Sequence, residues 1–198
     1  MVAGASFDPS LEGKSIARIN KERGRKDKLE DQIETVLDIL EKGTPGMVYH
    51  VMDERDVERI LRAEHTMVAS DAGPVEFEKG VPHPRGYGTN ARVLARYVRE
   101  DGALSLIQAL RKMSLMPAQR LEARVPEMRD KGRVRTGAHA DLAIFDPATI
   151  RDVATYERPA QLSQGMRYVL VNGAFVVRDG EVIEGATPGR PVRAPIVP

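Results

Sequence analysis

The chain has no cysteine and no tryptophan, and aromatic residues fill only 5% of its 198 positions. Without cysteine there can be no disulfide, no thiolate metal site and no cysteine nucleophile. Long apolar runs are missing too, so no segment reads as a membrane-spanning helix. Neither sign of charge dominates. Thirty Lys and Arg against 29 Asp and Glu leave +1, too little for a field that draws the whole molecule to nucleic acid or anionic lipid. The familiar catalytic templates are also absent: no Gly-x-Ser-x-Gly elbow, phosphate-binding loop, Gly-x-Gly-x-x-Gly or His-Glu-x-x-His, and no His-x-His among the four histidines. The first nine residues carry neither a basic nor an apolar leader pattern, which predicts a cytoplasmic location rather than secretion. A complete (β/α)₈ barrel typically takes ~250 residues, more than are present. What remains is 41% hydrophobic and 30% charged, a globular balance.

The first forty residues read as helical. Residues 14–24 form a short polar helix ending at glycine. Leu29, Ile33, Val36, Leu37 and Leu40 then lie on one stripe of a second helix, stopped by Gly43-Thr44-Pro45-Gly46. The basic run at 21–28 between them has interleaved acids and no aromatic, and is read as a solvated turn rather than a phosphate patch. Residues 47–51 and 66–70 are strand candidates, joined by a helix that Asp53 would cap and that presents Val57, Ile60 and Leu61. That order and spacing predict a parallel β-α-β unit. A loop at 71–89 follows, with three prolines and four glycines, long enough to suggest a functional role. Two more helices are expected, one capped by Thr89 and one carrying Leu106, Ile107, Leu110 and Met113. From residue 132 the period changes to two. Strands at 141–145, 168–171, 174–178 and 181–183 are joined by Asn172-Gly173 and Asp179-Gly180 turns, an antiparallel meander. The tail from 186 holds four prolines in thirteen residues and should be extended.

Functional groups of parallel α/β proteins gather at strand carboxyl ends and in the loops beyond them. That rule selects His50, Ser70 and Asp71, with His83-Pro84-Arg85 in the loop. An aspartate at a strand end is a metal ligand, a general base or a simple turn residue. An arginine fork suits a carboxylate. His50 is as well explained by packing, and His65 and His139 read as surface residues. His50, Asp71 and His83 could make a trio, but a catalytic zinc usually takes three protein ligands plus water.

Taken in order, Gly46-Met47-Val48-Tyr49-His50-Val51-Met52-Asp53-Glu54-Arg55-Asp56-Val57, Met67-Val68-Ala69-Ser70-Asp71, Pro82-His83-Pro84-Arg85 and Gly88-Thr89 resemble successive signatures of the N-acyl-D-amino-acid deacylases, the D-aminoacylases of the amidohydrolase superfamily. Downstream, Gly132-Arg133-Val134-Arg135-Thr136-Gly137-Ala138-His139-Ala140-Asp141-Leu142 resembles the superfamily's closing strand, and Val169-Leu170-Val171-Asn172-Gly173 its hairpin. The similarity runs from about residue 8 to about 185.

The resemblance implies an α/β fold: the C-terminal part of a metal-dependent hydrolase (β/α)₈ barrel, about its seventh and eighth strands with helices. A small antiparallel unit of the flanking sandwich follows. The expected division is 1–131 for the partial barrel, 132–185 for the β unit and 186–198 for an extended tail. It also implies hydrolysis of a linear amide in an N-acyl-D-amino acid, with Asp71 as base and, in a complete barrel, a metal ligand. Arg85 would hold the substrate carboxylate, with His83, His50, Tyr49 and Ser70 lining the pocket. Zinc is expected for the complete enzyme but not for this chain alone, because the family's His-x-His and middle-strand ligands have no counterpart. An amino-terminal half-enzyme or a second copy is the expected partner, with no role for nucleic acid or membrane. The alternative is a non-catalytic binding or assembly module built from the same fold.

Overall fold

Side-chain caps start three of the α-helices. In the computed structural model, which describes residues 1–73 and 76–195, Ser15 accepts the Arg18 amide and opens α1 (Ile16–Glu22). Asp53 does the same through the Arg55 amide for α3 (Glu54–Arg62), as its position predicts. Ser105 and Gln108 form a reciprocal capping box for α5 (Leu106–Leu110). The remaining helices are α2 (Leu29–Lys42), α4 (Arg85–Arg92) and α6 (Met116–Leu121), with wider π-helical turns at Val93–Glu100 and Arg111–Leu115. The strands are β1 (Val2–Gly4), β2 (Gly46–Met47), β3 (Leu142–Phe145), β4 (Met166–Val171), β5 (Ala174–Arg178) and β6 (Glu181–Val182).

Contacts divide the chain into two units that interleave in sequence. Met1–Met52, Asp71–Tyr87 and Ala154–Gln161 make the first; Asp53–Ser70, Gly88–Val153 and the residues from Leu162 onward make the second. The first unit buries Val2, Ala5, Leu11, Ile19 and Ile39, with Phe7, Ile16 and Met47 against them. The second buries Val93, Leu94, Tyr97, Leu104, Ala109 and Ile150, with Leu106, Leu110 and Met113 partly covered. Ile107 departs from that expected face and is 66% exposed.

The meander forms as the sequence predicts, in the order β3-β4-β5-β6 with every pair antiparallel. Asn172 and Gly173 both take positive φ, as do Asp179 and Gly180, the geometry a two-residue type I′ turn requires. Asp141 fixes the first turn from outside: its Oδ1 accepts the Asn172 amide at 2.7 Å while Oδ2 pairs with Lys131 Nζ at 2.7 Å.

The expected parallel β-α-β unit is not formed. Of residues 47–51 only Met47 is in a strand, and β2 pairs antiparallel with β1. Residues 66–70 are not a strand. Backbone groups need partners, and Val48 and Val68 find theirs elsewhere. Val48 exchanges hydrogen bonds with the amino-terminal Met1, and the Val68 amide donates to the Lys112 carbonyl.

One further expectation is corrected. The loop from 71 ends at α4, which begins at Arg85 rather than Thr89, because His83 Nδ1 accepts the Arg85 amide and the His83 and Pro84 carbonyls accept those of Gly86 and Tyr87. Residues 74 and 75 of that loop, and 196–198 of the expected tail, lie outside the described residues. The apolar stripe of α2 does not face the core. Leu29, Ile33, Val36, Leu37 and Leu40 are 36–71% exposed, whereas Thr35 and Ile39 are buried.

A polar network sets that orientation. Thr35 Oγ1 donates to buried Asn20 Oδ1 at 2.8 Å and accepts from Arg25 at 2.9 Å. Arg23 and Arg25 both reach Asp38, at 2.9 and 2.8 Å. The basic run at 21–28 is thus partly spent on holding α2.

Candidate functional site

The first unit brings most of the sequence-selected residues near one another. Asp71 stands in the left-handed region at φ 49°, a conformation Asp adopts at modest cost because its short carboxyl can bond locally. Its Oδ2 lies 3.0 Å from Arg85 Nη2, and the carboxylate is 84% exposed. Arg85 opens α4, and its backbone amide donates to His83 Nδ1 at 3.0 Å. One short segment therefore ties the guanidinium, the carboxylate and an imidazole together.

His83 and His50 meet across a residue that the sequence reading did not select. Tyr156 packs its ring 5.0 Å from His83, edge to face, and 4.9 Å from His50, tilted. Its hydroxyl is 3.4 Å from His83 Nε2. Because Nδ1 accepts the Arg85 amide, the neutral His83 ring carries its proton on Nε2, facing Tyr156. Burial, then the Arg85 charge and then His50 hold His83 below the usual imidazole pKa, so the neutral form is favoured. The only sequence signal for Tyr156 was an isolated aromatic in a polar, proline-flanked stretch.

The other expected pocket residues are less engaged. Tyr49 is 71% exposed and borders an apolar groove of about 430 Å³ that His50 also lines. Ser70 belongs to the second unit.

These residues do not fit a resident metal ion. Among the described residues no group of three or more His, Asp and Glu side chains converges. Asp71 is committed to Arg85, His83 Nδ1 to an amide and Nε2 to Tyr156. The arrangement can instead bind an anion at Arg85, present a carboxylate base and offer an N–H donor from a neutral imidazole. Also among the described residues, no helix is long and apolar enough to cross a membrane.

Several known proteins are similar to this chain. The D-aminoacylase of Alcaligenes xylosoxydans xylosoxydans is 36% identical over 183 residues, 92% of this chain and 34% of that protein. A solved D-aminoacylase, studied for the role of its binuclear metal center, superposes with a TM-score of 0.78 at 35% identity, covering 94% of this chain and 36% of the other. The N-acyl-D-glutamate deacylase of Bordetella bronchiseptica, complexed with zinc and a phosphonate mimic of the tetrahedral intermediate, superposes with a TM-score of 0.75 at 33% identity over 91% and 36%. The chain spans about a third of the length of these relatives. The model of the amidohydrolase family matches residues 23–177, most of the sequence, and the chain belongs to that family.

Proposed function

We propose that this chain is the carboxy-terminal portion of an N-acyl-D-amino-acid deacylase. The observation that carries the reading is the Asp71–Arg85 pair at 3.0 Å beside His83. It joins a base and a carboxylate-binding fork, the two groups that an N-acyl amino acid calls for. Arg85 binds the substrate carboxylate in the place Asp71 now occupies, and Asp71 is released. The freed carboxylate takes a proton from the attacking water and returns it to the departing nitrogen. The C–N bond breaks to give a carboxylate and a free amino acid. His83 donates from Nε2, and His50 and Tyr49 border the substrate. Zinc, in this reading, belongs to the complete enzyme, to which this chain contributes Asp71.

The same reading assigns 1–131 to the end of a (β/α)₈ barrel, 132–185 to a flanking sheet and 186–198 to a tail. Residues 47–51 and 66–70 become barrel strands only when neighbouring strands from an amino-terminal portion are present. The test combines the chain with that portion and measures release of free D-amino acid. Asp71→Asn should lower turnover by ~10²–10⁴-fold, the usual contribution of a general base. Arg85→Lys should mainly raise KM, since an ammonium cannot reproduce the planar fork. Wild-type turnover in the Asp71→Asn assembly would remove the role given to this carboxylate.

A further inference from the structure

One aromatic ring joins three stretches of the first unit that are far apart in the chain. Tyr156 meets His83 edge to face at 5.0 Å, and meets His50 at 4.9 Å with the planes tilted by 53°. Both separations lie in the range where aromatic rings attract, the hydrogen-bearing edge of one toward the electron-rich face of the other. Among the described residues the exposed His50 ring makes no hydrogen bond. Its contact with Tyr156 is therefore what sets its plane.

The ring is delivered by a turn that closes on itself. The Thr155 amide donates to the Arg158 carbonyl at 3.2 Å, and the Arg158 amide donates back to Thr155 Oγ1 at 3.1 Å. Tyr156 and Glu157 form the corner between them. Gln161 ties the far side, donating from Nε2 to the Arg158 carbonyl and from its backbone amide to the Pro159 carbonyl, both at 2.8 Å. Side chain and backbone bonds within a few residues hold such a turn without a sheet or helix. The Tyr156 hydroxyl is less committed. At 3.4 Å from His83 Nε2 it lies beyond the ~2.9–3.0 Å of an ordinary N–H···O bond. Packing of the ring thus aims the Nε2 hydrogen, and that hydrogen stays open to a nearer oxygen.

We propose that Tyr156 is a positioning residue of the site: its ring fixes the planes of His83 and His50, so that the His83 Nε2 hydrogen is already aimed when a substrate oxygen arrives. The Arg85 amide holds the other edge of the same imidazole at Nδ1. One edge is thus fixed by a hydrogen bond and the other by an aromatic ring, and turning the imidazole would cost both contacts. A donor aimed in advance need not be oriented after binding, and a misplacement of ~1 Å can cost ~10²-fold in rate. The inference rests on the deacylase reading and adds to it a residue 73 positions from His83, outside the segment that carries Asp71 and Arg85.

The test compares Tyr156→Phe, which keeps the ring, with Tyr156→Leu, which keeps apolar bulk without an aromatic face. In the whole 198-residue chain, imidazole NMR should show nuclear Overhauser contacts from Tyr156 to both histidines. That measurement needs no substitution, and absence of the contacts overturns the proposal. Ring signals of His50 and His83 should stay close to those of the unaltered chain in Tyr156→Phe and should both move in Tyr156→Leu. Slow exchange at Ile19 and Ile39, which are buried in the first unit, checks that the variants fold. Unmoved signals in folded Tyr156→Leu overturn the proposal. With an amino-terminal portion added, kcat for N-acetyl-D-glutamate should fall ~10²-fold in Tyr156→Leu, with little change in KM because Arg85 still grips the carboxylate. Tyr156→Phe should restore most of that loss. A Tyr156→Phe assembly as slow as Tyr156→Leu would give the role to the hydroxyl and overturn the proposal, and so would a change confined to KM. Absence of hydrolysis in the unaltered assembly removes the deacylase reading instead, and the imidazole signals then decide the positioning by themselves.

Discussion

His83 is the residue whose state can be read most directly. Its ring accepts an amide at Nδ1 and faces the Tyr156 hydroxyl through Nε2. Burial and the Arg85 charge lower its pKa from the ordinary 6.5. Nitrogen NMR should find a neutral, Nε2-protonated ring at pH 7, with a midpoint below 6.5. Tyr156→Ala should raise that midpoint, because removing the ring opens His83 to water. A midpoint at or above 6.5 in the unaltered chain would contradict the packing described. The unfolded chain takes up this proton at a higher pH than the folded chain, so the contribution of His83 to stability is complete above 6.5. It is lost as the pH falls from there through the folded value. Denaturant midpoints measured across that window should decline with acid, and the decline should be smaller in Tyr156→Ala.

Among the elements, those specified by adjacent residues were legible in the sequence, and those that depend on distant partners were not. The Asn172-Gly173 and Asp179-Gly180 turns were legible because positive φ at both central positions is a local demand. The cap at Asp53 is equally local. Helix α2 was legible as a helix, but its facing was not, because Asn20 and Arg25 decide which side is buried. The strands expected at 47–51 and 66–70 failed because strand identity depends on a partner, and here Val48 pairs with Met1 and Val68 with Lys112 instead. In the site, Asp71, His83 and Arg85 lie close in sequence and could be selected together, whereas Tyr156 is 73 residues from His83 and had no local signal.

The Asp141 clamp on the first turn contributes to the stability of the meander. Asp141→Ala removes two charge-assisted bonds, one to the Asn172 amide and one to Lys131. It should cost about 1–2 kcal/mol, read as a lower denaturation midpoint with faster exchange at 170–175. The Asn172 amide, then Lys131, lower the Asp141 pKa, so this stabilisation is present above pH 3.8 and lost as the pH falls through the folded value.

For the whole molecule, the balance of exposed apolar surface sets behaviour in solution. At ~25 cal/mol per Å², leaving several large side chains wet forfeits several kcal/mol, a sizeable part of the ~5–15 kcal/mol that typically holds a domain. A net charge of +1 offers little repulsion between copies. Weight-average mass from sedimentation should therefore rise with concentration, and a compact monomer at every concentration would contradict this expectation. Dialysis in zinc followed by elemental analysis should leave less than one ion per chain, since no convergent ligand group exists among the described residues. Retention of one ion per chain would require ligands to gather in a way the structure does not show.

The interleaving of the first unit bears on how the chain is made. Its parts come from 1–52, 71–87 and 154–161, so it stays incomplete until residue 161 has left the ribosome. At ~5–20 residues per second, the wait from residue 87 is on the order of ten seconds. During that interval the His83 ring has no Tyr156 to settle against, and the α2 stripe is on display from a nascent chain. Chaperone capture during translation would fall in this period, and pausing codons between 88 and 153 would lengthen it.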